Sequence, residues 1–569
     1  MFPFRRIKPR RQQVRESRPD LAPVWRSIGG PQATWAIGTV IGFWLLAIGI
    51  TSLREQIVRV RPDQYVHEDV TARVEFYSVD PERVNELRRH FTEKSVLVER
   101  GSVVSPHQWR LLAEEQEAYV NYLAAHRPGG RVLALAGMSG VILLVTLAMS
   151  AYVAAFGPKI VKNKYRCLSL AALLLVTLLA AELTAVSAQP LLIYATGPTL
   201  LAAMILTISY DQRLALGIST LHAVLVAAAV GQGVAFFLTI WVGLLTVTFT
   251  LDEVRRRGKL VEVGGTVALA MALTAMALGA MDMQPLEVIV RSALQSAAAG
   301  LGTGFVVLGI LPLIEKAFRI TTSMTLLELA DASHPLLRRL QLEAMGTYSH
   351  SLQVATLAEA AAEAIGANSL LCRVGSYYHD IGKLHKPDYF CENQFGAPNR
   401  HLNLTPTVSL LVIVGHVKDG MEMAREYRLP PMLQNVIAQH HGTTLVEFFY
   451  HKACKSGEIR GNEVDESQFR YPGPKPRARE TAIVMIADIV ESASRAMTDP
   501  AAHRVETLVH ELILKRLLDG QFDECDLTFA ELEQIEKSMV KTVLSLYHGR
   551  LPYPTSKPGE QVRPAARSA

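Results

Sequence analysis

Cysteine is scarce in this chain of 569 residues: there are five, Cys167, Cys372, Cys391, Cys454 and Cys525, without a CxxC pair. None falls in the polar segment between residues 53 and 130. That scatter argues against a disulfide framework and against a thiolate zinc site. Charge is also in short supply, with 20% Asp, Glu, Lys and Arg and a formal net charge of only +5. The basic residues gather at the N-terminus and in short loops between apolar runs, which suits membrane orientation and speaks against a nucleic-acid partner. What abounds is apolar sequence, 49% of the chain, with a mean hydropathy of +0.19. A chain this long and this apolar is neither one ordinary domain nor purely soluble, so a membrane part joined to a soluble part is expected.

Residues 1–33 form a basic start, including Arg5, Arg6, Lys8, Arg10 and Arg11, before an apolar run over 34–53. That run is long enough to span a bilayer and no small-residue cleavage site follows it, so it reads as a retained anchor. Residues 54–130 are polar. Strand-like VTARVEFYSV, then helix-like PERVNELRRHF and SPHQWRLLAEEQEAYVNYLAAH, predict a small α+β module without a chemical motif. From 131 to 314 the composition turns to Leu, Ala, Val, Gly and Thr. At about 20 residues per span, helices are predicted near 132–156, 167–187, 190–209, 213–230, 233–250, 263–281 and 287–311, eight with the anchor. GPKIVKNKYR, the Arg213 turn and LDEVRRRGKL carry most of the loop Lys and Arg, whereas AELTAVSAQP, VGQG and MDMQPLE have none. The two kinds alternate as the positive-inside rule requires, which places the N-terminus and everything after Glu315 in the cytoplasm and residues 54–130 outside.

Residues 315–340, with ITTSMTLLELADASHPLLRRL, read as a juxtamembrane helical connector in which Pro335 marks a break or a first helical turn. Residues 341–550 read as an all-α domain. LQVATLAEAAAEAI has helical spacing, Thr528 and Glu531 suit a capping box, and no alternating strand pattern occurs. One long loop, KSGEIRGNEVDESQFRYPGPKPRA, interrupts it, because PGPKP does not fit a helix interior. Residues 551–569 read as a disordered tail.

This helical region holds His350, the pair His379-Asp380, His416, the pair His440-His441, and Asp488, each in an apolar helical context. Burying imidazoles and carboxylates there is costly unless they have partners, and a metal centre would satisfy them together. Imidazole and carboxylate without thiolate suit iron, manganese or another first-row divalent ion and favour a site that does chemistry. Five histidines and two aspartates exceed what one ion takes from protein while keeping an open position, so two ions are expected. Asp380, able to bridge, is the candidate shared ligand, and two ions together suit phosphoester hydrolysis. His385, His401 and His451 fall in polar loops and are left as ordinary residues, as are His334 and Asp331 of the connector.

The order of histidine, HD, histidine, HH and a distant Asp resembles the HD-superfamily metal-dependent phosphohydrolases. LLELADASHPLLRRLQLEA, GTYSHSL, YYHDIGK, ENQ, GHVKDG, QHHGTT, FRYPGPKPRARE and IVMIAD are closer to one branch. They look like the membrane receptors with an intracellular HD domain, the PgpH-type cyclic di-AMP phosphodiesterases. The resemblance implies a multi-span helical anchor in a bacterial plasma membrane, a small extracytoplasmic module and a cytoplasmic HD domain. It further implies hydrolysis of cyclic di-AMP to pApA with two divalent ions, iron or manganese. His350, His379, Asp380 and Asp488 would hold one ion, and Asp380, His416, His440 and His441 the other. Lys383 is positioned to meet a substrate phosphate in catalysis.

Three departures stand out. Ser349 replaces a common second histidine, Met345 a usual proline, and the external segment is shorter than in typical relatives, so no ligand is assigned to it. An unidentified external ligand and a homodimer stay open as partners. Alternatives are an HD hydrolase of cyclic di-GMP, an alarmone or a deoxynucleotide, or a receptor that binds a nucleotide without cleaving it. The downstream GYP signature of cyclic di-GMP enzymes is absent, and a complete ligand set disfavours the receptor.

Overall fold

The computed structural model describes residues 31–548 apart from 53–59, 61–64, 67, 79–88, 127–128, 187–194, 252–253, 255, 319, 395–397, 457–463 and 498–500. The basic residues 5–11 and the expected disordered tail lie outside the described residues. The fold divides into two units between Thr322 and Ser323.

In the first unit, α1 (Pro31–Thr51) precedes two small antiparallel strand pairs. β1 (Val70–Thr71) pairs with β4 (Val96–Val98), and β2 (Phe76–Ser78) with β3 (Arg89–Phe91). Here the structure corrects the helix-like reading of PERVNELRRHF. Its end is strand β3, and its residues 81–88 lie outside the described set. The physical reason is a cross-strand aromatic pair: Phe91 stacks on Phe76 with centroids 5.0 Å apart, and the stacking outweighs helical spacing. Helix α2 (Pro106–His126) follows, where buried Glu115 takes a 2.7 Å ion pair from Arg73.

Seven apolar helices come next: α3 (Gly130–Phe156), α4 (Lys164–Val186), α5 (Thr196–Ser209), α6 (Gln212–Val230), α7 (Val234–Thr250), α8 (Gly258–Met281) and α9 (Leu286–Phe318). With α1 they stand where eight spans are expected, and six of them, α1, α3, α4, α6, α8 and α9, are long and apolar enough to cross a membrane. Helices α5 and α7, at 14 and 17 residues, are shorter. The expected start of α5 near 190 lies outside the described residues. The chain is a membrane protein, and its apolar outer faces, such as Leu133 and Leu144 of α3, are what lipid accepts and water does not. Helices α8 and α9 meet through small residues. A Cβ on Gly304 would sit 2.7 Å from the Leu260 carbonyl oxygen, so only glycine lets the backbones approach this closely.

The second unit is helical: α10 (Ser323–Leu329), α11 (Pro335–Glu343), α12 (Met345–Ile365), α13 (Ser369–Tyr378), α14 (Pro406–Glu426), α15 (Pro431–Gln439), α16 (Glu447–Ser456), α17 (Arg479–Arg495), α18 (Ala502–Leu518) and α19 (Phe529–His548). Pro335 opens α11, where its missing N–H costs nothing. Thr528 and Glu531 exchange the hydrogen bonds of a capping box at 2.9 and 3.2 Å. The apolar face of α12, with Val354, Leu357, Ala358 and Ala361, packs with Ile483, Ile486 and Val490 of α17 and with Ile535 and Met539 of α19. A second cluster joins Leu336 and Leu340 of α11 to Val374 and Tyr378 of α13 and Ile437 of α15. The two cores clamp α12, α13, α15 and α17, the helices that carry most of the candidate ligands.

Candidate metal centre

The ligand candidates come from helix interiors and helix ends alike. His350 sits in the second turn of α12, and His379 caps α13. Asp380 follows it and leads into a short 3₁₀ turn, Ile381–His385. His416 belongs to α14, His440 and His441 follow α15, and Asp488 lies mid-way along α17. Gly382 is what brings α14 close. A Cβ there would fall 1.9 Å from the His416 carbonyl oxygen and 2.5 Å from the Gly420 nitrogen. A glycine after the HD pair therefore lets the backbone that carries His416 lie directly on the turn that carries Asp380.

The seven groups converge. Asp380 Oδ2 lies 3.2 Å from His379 Nε2 and 3.5 Å from His350 Nε2, while its Oδ1 lies 3.3 Å from His416 Nε2 and 3.7 Å from His440 Nε2. One carboxylate thus turns a different oxygen to each pair of imidazoles. Asp488 Oδ1 is 3.1 Å from His350 Nε2 and 3.9 Å from His379 Nε2, and its Oδ2 is 3.8 Å from His441 Nδ1. Two sets of donor atoms gather within 4.8 Å: Asp380, His416, His440 and His441, and His350, His379 and Asp380.

The far nitrogens of the rings are already committed. The Nδ1–H of His379 donates to Ser376 O (2.7 Å), that of His416 to Ile413 O (2.6 Å) and that of His440 to Ile437 O (2.9 Å). His350 Nδ1 meets Glu491 Oε2 at 2.5 Å. A carbonyl only accepts, so each neutral ring keeps its proton on Nδ1 and presents an Nε2 lone pair to the centre. His416 Nε2 and His440 Nε2 then face one another at 3.4 Å. Two lone pairs at that distance repel unless a cation lies between them. His379 Nε2 and Asp380 Oδ1 are buried without a hydrogen-bond partner, a cost that a shared cation removes. The residues present therefore fit divalent metal.

Electrostatics divides the centre. Burial holds His416 down to about 4 and pushes His441 well below the usual imidazole range, so both are neutral near pH 7. Burial also opposes charge on His379, but Asp380 and Asp488 outweigh it and push that imidazole up to about 10. His350 rises for the same reason, burial being outweighed by Asp488 and Glu491. Asp380, despite burial, is held well below the carboxylate range by His379 and Lys383, and Asp488 by His350 and His379. Two carboxylates without a cation draw protons onto the neighbouring imidazoles, and a divalent ion supplies the same charge without them.

Lys383, expected at a substrate phosphate, has its Nζ 2.7 Å from Asp380 Oδ2 and 2.8 Å from Glu392 Oε1. Burial disfavours its charge, but the two carboxylates hold the ammonium well above the ordinary range. Of the other histidines, His401 is buried and meets Tyr389 O at 2.8 Å, and the ring of His334 packs edge-on against Tyr378; neither belongs to the clustered donors.

Four further residues were missed in the sequence. Glu491 follows Asp488 by one helical turn, a spacing that could have flagged it. Glu392, in ENQ, anchors Lys383. The loop that carries PGPKP is a strap against the cleft: Val446 N donates to Phe469 O and Tyr471 N to Thr444 O, which lays Tyr471 on His441 with centroids 4.3 Å apart. A cleft of about 220 Å³ opens beside the cluster, lined by His440, His441, Tyr471, Asp488 and Arg516 among others.

Residues 132–322 match the family described as 7TM receptor with intracellular HD hydrolase, and residues 347–493 match the HD domain. The chain is 39% identical over 366 residues to the cyclic-di-AMP phosphodiesterase PgpH of Bacillus subtilis (strain 168), covering 63% of this chain and 51% of that protein. It is 45% identical over 258 residues to PgpH of Listeria monocytogenes, covering 45% of this chain and 35% of that one. The chain thus matches about half the length, or less, of these relatives. A crystal structure of the L. monocytogenes PgpH HD domain in complex with cyclic-di-AMP is 45% identical and has a TM-score of 0.37, with 38% of this chain and 100% of that one covered.

Proposed function

Because the chain belongs to the family of 7TM receptors with an intracellular HD hydrolase, we propose that it is a membrane-bound, metal-dependent phosphodiesterase that hydrolyses cyclic di-AMP to pApA. The observation that carries the reading is Asp380, whose two oxygens face two separate sets of imidazoles. The names of the relatives supply the substrate. His350, His379, Asp380 and Asp488 would hold one ion and Asp380, His416, His440 and His441 the other, with iron or manganese the metals that suit this donor set. Bound divalent ions supply Lewis-acid neutralisation of phosphoryl charge and an acidified water.

The chain's own residues do the rest. Second partners on Nδ1 fix the imidazoles, so the Nε2 lone pairs stay aimed at the centre. Lys383 is kept charged beside Asp380 and would place positive charge where a phosphate approaches. Tyr471, stacked on His441, walls the cleft and limits water. The basic loop residues Lys162, Arg213 and Arg257 support a cytoplasmic N-terminus and HD domain. Residues 54–130 lie outside in this reading, with an external ligand and a homodimer left open as partners.

The test is the full chain in detergent, loaded with manganese or ferrous iron and given cyclic di-AMP, cyclic di-GMP, an alarmone and a deoxynucleotide triphosphate. Chromatography should show cyclic di-AMP converted to pApA, with chelator, His379→Ala or Asp380→Ala abolishing turnover. Intact cyclic di-AMP beside a cleaved competitor, or near-normal turnover in either variant, would sink the reading.

A further inference from the structure

We infer that Arg516 holds the second phosphate of the cyclic dinucleotide, the one not being cleaved, in the cleft beside the metal cluster; this rests on the function proposed above. Arg516 lies on α18 and lines the same cleft as His440, His441 and Asp488. Among the described residues, no hydrogen bond or ion pair engages its guanidinium. The neighbouring cations are all committed: Arg470 to Asp519 at 2.8 Å, Lys515 to Glu447 at 2.5 Å and Lys383 to Asp380 and Glu392. Those pairs also occupy Asp519 and Glu447, two of the three carboxylates whose charge favours Arg516; the third, Asp488, belongs to the cluster.

Burial works against this charge and pulls the Arg516 guanidinium below its ordinary range. A partly buried, unpaired cation facing a cleft is costly and is stabilised by an incoming anion. The planar fork of a guanidinium matches the oxygens of a phosphate better than any other side chain does. A cyclic dinucleotide carries two phosphodiesters, and only one can be at the metal cluster during cleavage. The other enters the cleft with a negative charge and finds in Arg516 the one cleft-lining cation that no described residue engages.

Substrates with one and with two phosphates separate the possibilities. Full-length wild type, Arg516→Ala and Arg516→Lys, manganese-loaded in detergent, are compared on cyclic di-AMP and on bis(p-nitrophenyl) phosphate, which has a single diester. Arg516→Ala should raise KM for cyclic di-AMP by about 10- to 100-fold, as expected for a hydrogen bond to a charged group. Metal content, unfolding temperature and bis(p-nitrophenyl) phosphate turnover should stay at wild-type values, and Arg516→Lys should recover part of the loss. Unchanged KM, or equal losses on both substrates, overturns the assignment of Arg516 alone. A wild type that cleaves the small diester but not cyclic di-AMP overturns the substrate reading and this inference with it.

Discussion

His350 differs from the other ligand candidates in what holds its far nitrogen: a buried carboxylate, Glu491, where His379, His416 and His440 use backbone carbonyls. Glu491 also pairs with Arg495 one turn later, so its carboxylate is itself fixed. A carboxylate behind a metal-ligating imidazole orients the ring and raises its basicity. Glu491→Ala should therefore weaken metal binding by roughly 10- to 100-fold, with Glu491→Gln losing less because it keeps an acceptor. Metal titration by calorimetry is the measurement, and wild-type affinity in the alanine variant would contradict the role. At this scale the ligand candidates were readable because imidazole and carboxylate stand out in apolar helical text. Glu491, Glu392 and Arg516 were not, since acidic and basic residues on helices and loops are ordinarily solvated.

Helices place these side chains, and glycine decides how closely two segments pack. The HD turn and α14 touch at Gly382, where a Cβ would overlap the His416 carbonyl oxygen and approach the Gly420 nitrogen. Backbone cannot retreat as the tip of a flexible side chain can. Gly382→Ala should lower the unfolding midpoint of the second unit by about 5 °C or more and cost metal affinity as His416 moves away. Differential scanning fluorimetry with and without manganese tests both, and an unchanged midpoint would count against this packing. Most element types followed from local text: Pro335 opens α11, and Thr528 and Glu531 cap α19. Where local text failed, a partner from elsewhere in the chain was responsible. Phe91 joins a strand because Phe76 stacks on it, and the strap at Tyr471 is ordered by hydrogen bonds to residues 444 and 446.

Across the whole molecule, a polar module precedes seven apolar helices, and a helical unit bearing the metal cluster follows them. The orientation proposed above from the loop charges, with the polar module outside and the cluster inside, is open to a direct test. A phosphatase reporter inserted after Gly101 should be active outside the cell, and a fluorescent protein fused after residue 548 should fold and fluoresce inside. The reverse pattern, or both reporters on one side, would overturn the orientation. Span count is harder to read from composition, because α5 and α7 are apolar but shorter than a bilayer needs, and hydropathy does not measure where a helix ends.

By itself the sequence determined that this chain enters a membrane, that its last large region is helical, and which seven imidazole and carboxylate groups need a shared partner. Those properties are local: apolar length, helical period, and the cost of burying a charge. Only the tertiary structure decided that one oxygen of Asp380 serves each half of the cluster, that Glu491 stands behind His350, and that Arg516 lines the cleft with no hydrogen-bond or ion-pair partner among the described residues. These depend on contacts between residues far apart in the chain, and the closeness of packed backbones, as at Gly382, sets them.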